Sequence, residues 1–324
     1  MHSEIYFRQI IEDELARLKL DNQPTRLYEP IRYMINLGGK RLRPSILLMS
    51  HELFNGNPEN LLKPAIGIEV FHNFTLLHDD IMDKAPLRRS NETVHKKWNA
   101  DIAILSGDTM FVQSCELMMR VNEKYLREVL NMFFKTAIEV CEGQQYDMDF
   151  ETDDNVTIDD YLTMIGLKTA SLIGCSAYIG TFCAGLSLKE SIHMYEFGKN
   201  LGIAFQLHDD YLDVYGDKEK FGKQVAGDIL ANKKTFLLLT ALELAKGNTK
   251  TELLKWIFSK EYDPDQKINA VISIYESLDV KQRTSMKMEY FFKKAMDELN
   301  SVNAPANKKQ PLISLAEKLM VREK

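Results

Sequence analysis

The stretch His78-Asp79-Asp80-Ile81-Met82-Asp83 decides how the rest of the chain is read. A near-copy, His208-Asp209-Asp210-Tyr211-Leu212-Asp213, follows 130 residues later. Each is entered through an apolar run, Phe74-Thr75-Leu76-Leu77 and Ala204-Phe205-Gln206-Leu207, so each reads as the C-terminal end of a helix. Residues four apart share a helix face, which stacks Asp79 over Asp83 and Asp209 over Asp213. Like charges at that spacing repel, and the negative end of the helix dipole repels them further. Two such placements are costly unless a cation offsets them. Oxygen donors without a chelating Cys or His pattern suit a hard ion, and Mg²⁺ is the usual choice where phosphates share the site.

Composition narrows the classes. A chain of 324 residues with 45% hydrophobic and 27% charged residues is an ordinary globular sequence. Its net charge of −6 argues against nucleic acid as a partner, because phosphate contacts need a basic face. Cys115, Cys141, Cys175 and Cys183 show no CxxC spacing, lie in apolar, helix-like runs and read as buried free thiols in a reducing compartment. The N-terminal stretch lacks a secretory pattern, and no apolar run reads as a bilayer span, so a cytoplasmic location is expected.

Helical periodicity dominates and strand alternation is nearly absent. Helices are expected at 4–19, 24–36, 44–54, 59–79, 101–121, 124–147, 157–184, 189–213, 232–247, 251–261, 265–276, 280–300 and 310–322. Gly38-Gly39, Asn55-Gly56-Asn57-Pro58, Gly247-Asn248 and Asp263-Pro264 supply turn chemistry between them. Asp153-Asp154-Asn155 and the polar segment 300–311 read as surface loops, and Gly143-Gln144-Gln145-Tyr146-Asp147 as the close of a helix. With no linker-like stretch, residues 1–324 form one all-α domain.

Cations sit in the loops. Gly38-Gly39-Lys40-Arg41-Leu42-Arg43-Pro44 is a glycine-rich turn opening into a helix, a combination that favours phosphate. Arg88 and Arg89 follow the first acidic motif, while Lys223, Lys233 and Lys234 follow the second. His72 lies two turns before Asp79, on the same face, and reads either as a core histidine or as a ligand. Lys168-Thr169 interrupts an apolar helix, where a lysine either snorkels or meets an anion. Gln206 shares a face with Asp209. Met118, Met119, Phe133, Phe134, Phe291 and Phe292 read as core or subunit contact.

Taken together these residues resemble the trans-isoprenyl diphosphate synthases, or polyprenyl synthetases. The resemblance runs in order through GGKRLRP at 38–44, ExxH at 69–72, HDDIMD at 78–83, LRRS at 87–90, GD at 107–108 and GQQYD at 143–147. It continues through KTA at 168–170, FQLHDDYLD at 205–213, GDKEKFGK at 216–223, GD at 227–228 and NKKT at 232–235. It implies an all-α bundle around a deep central cavity, usually as a homodimer, which extends an allylic diphosphate by isopentenyl diphosphate. By that resemblance Asp79, Asp83 and Asp209 bind three Mg²⁺ ions, with Asp80 and Asp213 supporting. Arg88, Lys168, Lys223 and Lys233 hold the allylic diphosphate, and Lys40, Arg43, His72 and Arg89 bind isopentenyl diphosphate. Thr169 and Gln206 face the cationic carbons, with Gln144 and Asp147 behind them. Ser90 stands where the family usually carries Gly.

In the family, the residues four and five before the first Asp help set product length. Here they are Thr75 and Phe74, with Phe71 one turn lower thickening the plug. Helix geometry puts Phe74 roughly 7–8 Å below Asp79 but places Thr75 nearer its line, so which one blocks the pocket stays open. The pattern resembles short-chain enzymes making C15 or C20 products, with a longer-chain synthase as the alternative. A terpene cyclase would carry a different second metal motif and no GGKRLRP loop. A non-catalytic subunit would tolerate losses that this chain does not show.

Overall fold

The computed structural model describes residues 2–216 and 226–321. Apart from one two-stranded hairpin, the regular elements among them are helices. In chain order they begin with α1 (Glu4–Ala16), α2 (Thr25–Asn36), α3 (Leu42–Leu53), a single 3₁₀ turn (Pro58–Leu61) and α4 (Leu62–Met82). Then come β1 (Leu87–Arg88), β2 (Asn91–Glu92), α5 (Val94–Lys97), α6 (Ala100–Met118) and α7 (Glu123–Phe150). These are followed by α8 (Ile158–Ile165), a π-turn (Gly166–Ala170), α9 (Ser171–Cys183) and α10 (Leu188–Tyr215). The remaining helices are Gly227–Leu230, Phe236–Leu244, Gly247–Phe258, Pro264–Ser277, Val280–Ser301 and Ala306–Met320.

Local chemistry explains most of the boundaries. Ser3, Asn99, Thr235 and Asp263 each cap a helix by accepting a backbone N–H, and Thr157 with Asp160 forms a reciprocal capping box at α8. After α2, Gly38 at φ 80° and Gly39 at φ 150° reverse the chain through conformations that a side chain would strain.

Five expectations need correction. Of the four thiols expected to be buried, Cys175 and Cys183 are, whereas Cys115 is half-buried and Cys141 is exposed. Gly143-Gln144-Gln145-Tyr146-Asp147 does not close a helix but lies inside α7. The reason for Gly143 is close approach, since a Cβ there would stand 2.3 Å from the Lys168 backbone nitrogen. The expected helix 157–184 is interrupted by the π-turn, and the segment 300–311 is mostly helical, broken only between Ser301 and Ala306. One stretch, Ile158–Cys183, is long and apolar enough to cross a membrane by composition, with mean hydropathy 1.3. Its most apolar window is 72% buried within the protein, which is how a core helix passes that test.

The chain groups into two compact units. One holds the residues up to Lys135 with Cys175–Tyr195 and Val302–Ile313; the other holds Thr136–Gly174, Glu196–Ser301 and the residues from Ser314 on. In the first, α4 is apolar almost all round and packs most extensively on α6. Its Phe71 meets Phe133 of α7 edge-on at 5.3 Å, and both rings are fully buried. In the second unit, Tyr161, Ile165, Ala170, Leu207, Phe236 and Met288 build one apolar cluster. Val214, Leu237, Leu253, Ile274 and Tyr275 belong to another.

Candidate active site

In the first unit the fold gathers two cationic loops around His72. Loop 38–43 and the hairpin both bring arginines near it, and Arg43 Nη1 lies 3.1 Å from its Nε2. Burial, then Arg43, Arg89, Arg88 and Arg41, hold the imidazole's pKa well below its ordinary value. His72 is therefore neutral and accepts from the Arg43 guanidinium. Lys40, in the same loop as Arg43, is exposed. The hairpin places Arg88 and Arg89 with two-residue economy: Leu87 pairs Glu92, Arg88 pairs Asn91, and Arg89-Ser90 forms the turn. Both turn residues have positive φ, 52° and 63°, the type I′ geometry for which Asn-Gly is preferred. So Ser90 keeps the left-handed conformation that Gly would adopt freely. Arg89 donates to the Gly38 carbonyl, which ties the hairpin to the glycine turn.

The first aspartate motif shares this unit. Asp83 caps α4, and its N–H donates to the Asp79 carbonyl. Asp80 is 2% exposed and faces inward, taking the Arg88 Nε at 2.8 and 2.9 Å on its two oxygens. Arg88 Nη2 also reaches Asp79 at 3.3 Å. Below the motif, Phe74 lies against His78 at 4.8 Å, Phe111 at 5.5 Å and Phe71 at 5.6 Å. The Thr75 hydroxyl turns back to the His72 carbonyl at 2.8 Å.

The second unit gathers the other motifs. Lys168 and Thr169 stand on the π-turn, where one extra residue is squeezed into the helix, closed by Ser171 N–H to the Gly166 carbonyl. Lys168 Nζ donates to Asp147 at 2.6 Å. A chain of hydrogen bonds runs on from Thr169: its hydroxyl to Gln206 Oε1 at 3.2 Å, then Gln206 Nε2 to Asp210 at 2.9 Å. Asp210 is 5% exposed and takes a second donor, the Tyr161 hydroxyl, at 2.5 Å. Burial raises the Asp210 pKa, while Lys233, Tyr161 and Gln206 oppose that rise. Asp213 accepts the Asp228 N–H at 2.9 Å. The Asp228 carboxyl is pushed up to about 7, by burial first and then by Asp210, Asp213 and Asp147, with Lys233 opposing. Gln144 turns its amide nitrogen inward, where it finds no partner among the described residues. Lys223 lies outside the described residues.

Sequence reasoning missed Tyr161, Asp228 and the role of Arg41. A tyrosine at helical spacing in an apolar stretch reads as core, so Tyr161 carried no signal. Asp228 belonged to a quoted GD pair without a role, and its place beside Asp213 depends on tertiary folding.

The donor set fits a hard divalent ion. It is all carboxylate, and beside it the Asp228 carboxyl is raised first by burial and then by the neighbouring Asp210, Asp213 and Asp147, whose charges lie close together. Among the described residues no three His, Cys, Asp or Glu side chains form a ready-made cage. Mg²⁺ commonly takes one or two carboxylates and completes its shell with water and substrate phosphate.

A helical chain with two Asp-Asp-x-x-Asp helix ends and cations grouped near each is equipped to bind and activate diphosphates. The polyprenyl synthetase family model matches residues 24–275, and the chain belongs to that family, whose members are prenyltransferases. The geranylgeranyl diphosphate synthase of Sulfolobus acidocaldarius is 34% identical over 313 residues, 93% of each chain. The geranylfarnesyl diphosphate synthase of Aeropyrum pernix is 35% identical over 302 residues, 90% of this chain and 92% of its own. A solved geranylgeranyl pyrophosphate synthase superposes with a TM-score of 0.95 at 41% identity, covering 100% of both chains.

Proposed function

We propose that the chain, acting as one synthase domain, condenses isopentenyl diphosphate head to tail with an allylic diphosphate, giving a short all-trans prenyl diphosphate and diphosphate. The observation that carries this reading is the grouping of Arg43, Arg88 and Arg89 around neutral His72 beside the first aspartate motif, with Lys40 exposed in the same glycine turn as Arg43. Isopentenyl diphosphate binds through Lys40, Arg43, His72 and Arg89. Arg88, Lys168 and Lys233 hold the allylic diphosphate, with Lys223 as a fourth cation. Asp79, Asp83 and Asp209 are the Mg²⁺ ligands, three ions being expected with substrate bound, and Asp213 supports them. Bound Mg²⁺ supplies positive charge that stabilises the departing diphosphate.

The C1–O bond of the allylic substrate breaks with its electron pair leaving on diphosphate. The double bond of isopentenyl diphosphate then attacks the allylic carbon, and the released diphosphate takes a proton from C2, which restores a double bond. Lys168 and Arg88 stabilise the leaving charge, a task for preorganised cations. The Thr169 hydroxyl and the Gln206 carbonyl oxygen offer partial negative charge to the allylic cation.

Phe74 is the chain-length wall of this reading. Its ring is half-buried between Phe111 and His78, whereas Phe71 is 1% exposed and locked against Phe133. A C20 product is favoured, since most of the similar proteins quoted above make geranylgeranyl diphosphate. A homodimer is part of the reading as well. Leu105, Val112 and Met119, at the end of α6, and Phe134 and Ile138 on α7 are exposed at helical spacing, while neighbouring Met118 and Phe133 are buried. A second copy of the chain would cover those stripes.

The test is incubation of purified protein with labelled isopentenyl diphosphate, each allylic primer and Mg²⁺, followed by sizing of the products. A C20 diphosphate that disappears in excess chelator is the expected result. Undiminished turnover in chelator would remove the metal mechanism, and no prenyl product with any primer would remove the function.

A further inference from the structure

The turn Gly38–Pro44 carries three cations, but one of them is turned away from any ligand. Arg41 is 3% exposed. Its Nε and Nη2 donate to the two Glu12 oxygens at 2.9 and 3.3 Å, Nη1 donates to Glu69 at 2.7 Å, and Nη2 also meets the Ile35 carbonyl at 3.1 Å. One guanidinium thus joins α1, the end of α2 and α4. Its backbone sits at φ 52°, a left-handed conformation that a side chain adopts only when its surroundings enforce it. A buried ion cluster of this kind is weak evidence for stability, since an apolar replacement of equal volume often serves as well. Fixing a conformation is its better-attested use.

The placement says which conformation. Arg41 lies between Lys40 and Arg43, and the two α4 residues that hold the loop are Glu69 and His72, three apart on one face. Glu69 grips Arg41 and His72 grips Arg43. Glu12 closes the grip from the other side, reaching across from α1.

We propose that Glu12, Arg41 and Glu69 form the positioning device of the isopentenyl diphosphate subsite, which makes α1 part of substrate recognition. The triad fixes the backbone between Lys40 and Arg43 so that both cations converge on one diphosphate. This rests on the functional reading above, which assigns those two cations to isopentenyl diphosphate.

Glu12→Gln gives the sharpest test, because simple electrostatics and positioning predict opposite signs. Removing a negative charge near an anion site strengthens anion binding through the field alone. Loss of positioning weakens it. Calorimetric titration of isopentenyl diphosphate into the full-length protein, and KM for both substrates, are the measurements. The expected result is isopentenyl diphosphate binding weaker by about 3- to 10-fold, the worth of one hydrogen bond, with the allylic KM and kcat within about twofold. Arg41→Lys should weaken it further, because an ammonium cannot span Glu12, Glu69 and Ile35 together, and Glu12→Asp should recover part of the loss. Unchanged or tighter binding in Glu12→Gln overturns the inference. So does a fall in kcat with both KM values unmoved, the mark of partial unfolding. Failure of the functional reading is separately visible, because the unaltered protein would then neither bind isopentenyl diphosphate nor make product.

Discussion

Tyr161→Phe isolates one hydroxyl whose loss should be felt in both stability and chemistry. The Tyr161 ring is 2% exposed and its hydroxyl stands 2.5 Å from Asp210, itself 5% exposed. The phenylalanine ring fills the same space, so no cavity arises. What remains is a buried carboxylate with one side-chain donor, Gln206 Nε2 at 2.9 Å, in place of two. A hydrogen bond to a charged group contributes about 1.5–3 kcal/mol. At about 2–4 °C per kcal/mol for a somewhat smaller domain, the melting temperature of the metal-free protein should fall by roughly 3–12 °C, nearer the lower figure. The loss should also depend on pH. Burial already raises the Asp210 pKa, and removing a donor to its charged form raises it further. The variant's deficit is then largest where Asp210 must ionise and shrinks as the pH falls until Asp210 is protonated in both proteins. Activity should follow, with the acid limb of the kcat profile moved upward. Thermal melts from pH 5 to 8 beside a pH–rate profile measure both. Equal melting temperatures across that range, or a deficit that grows in acid, would refute the reasoning.

Ser90→Gly should raise stability by about 1 kcal/mol, because the residue already sits at φ 63° where only glycine is unstrained; a thermal melt decides it. Asp228, whose folded pKa of about 7 exceeds its ordinary value, holds a proton in the native state that the unfolded chain has released. Its stabilising contribution is therefore full below about pH 4 and is lost as the pH rises through 7, so metal-free melts should decline between pH 5 and 8 and Asp228→Asn should flatten that decline. Phe74→Ala should lengthen the product by at least one five-carbon unit on chromatography. Phe71→Ala, in the packed core, should chiefly cost about 3–5 kcal/mol on denaturation.

How much of this was legible depends on how local the cause is. Helix positions followed from apolar periodicity and from turn residues, and most ends fall within a few residues of expectation. The π-turn was not legible, because nothing in Gly166-Leu167-Lys168-Thr169-Ala170 distinguishes an inserted residue from a regular turn. Gly143 looked like a helix stop because glycine usually is one, whereas its cause is the backbone of Lys168 more than twenty residues away. The resemblance gave Lys40 and Arg43 a role in the glycine turn and left Arg41 without one. The fold supplies the physical reason, since Arg41 is neutralised by Glu12 and Glu69. The hairpin was hidden for a similar reason, since Arg-Ser is poor type I′ chemistry and its strands are two residues long.

The two aspartate motifs, read as near-copies, also behave alike in their division of labour. Successive residues on a helix point about 100° apart, so Asp80 cannot share the face of Asp79 and Asp83, nor Asp210 that of Asp209 and Asp213. In each motif the middle carboxylate is turned in, 2% exposed at Asp80 and 5% at Asp210, and is held by donors from another segment. The hairpin's Arg88 serves Asp80, while Tyr161 of α8 serves Asp210 together with Gln206. The outer carboxylates stay accessible, with Asp83 and Asp209 exposed and Asp79 and Asp213 half-buried. Each hexapeptide therefore encodes one buried carboxylate held by protein donors and two accessible ones, among which the proposed function finds its metal ligands. Substitution should split along that line. Asp80→Asn, which weakens the ion pair to Arg88, should cost about 1–3 kcal/mol of stability in metal-free protein. Asp83→Asn and Asp209→Asn, at exposed positions, should change stability by no more than about 0.5 kcal/mol. Asp209→Asn should nonetheless lower kcat by orders of magnitude, because its charge is needed on the way to the transition state. Denaturation without metal, set beside turnover with it, separates the two kinds of residue. If Asp80→Asn leaves metal-free stability intact while Asp209→Asn lowers it, the assignment of anchor and ligand is reversed.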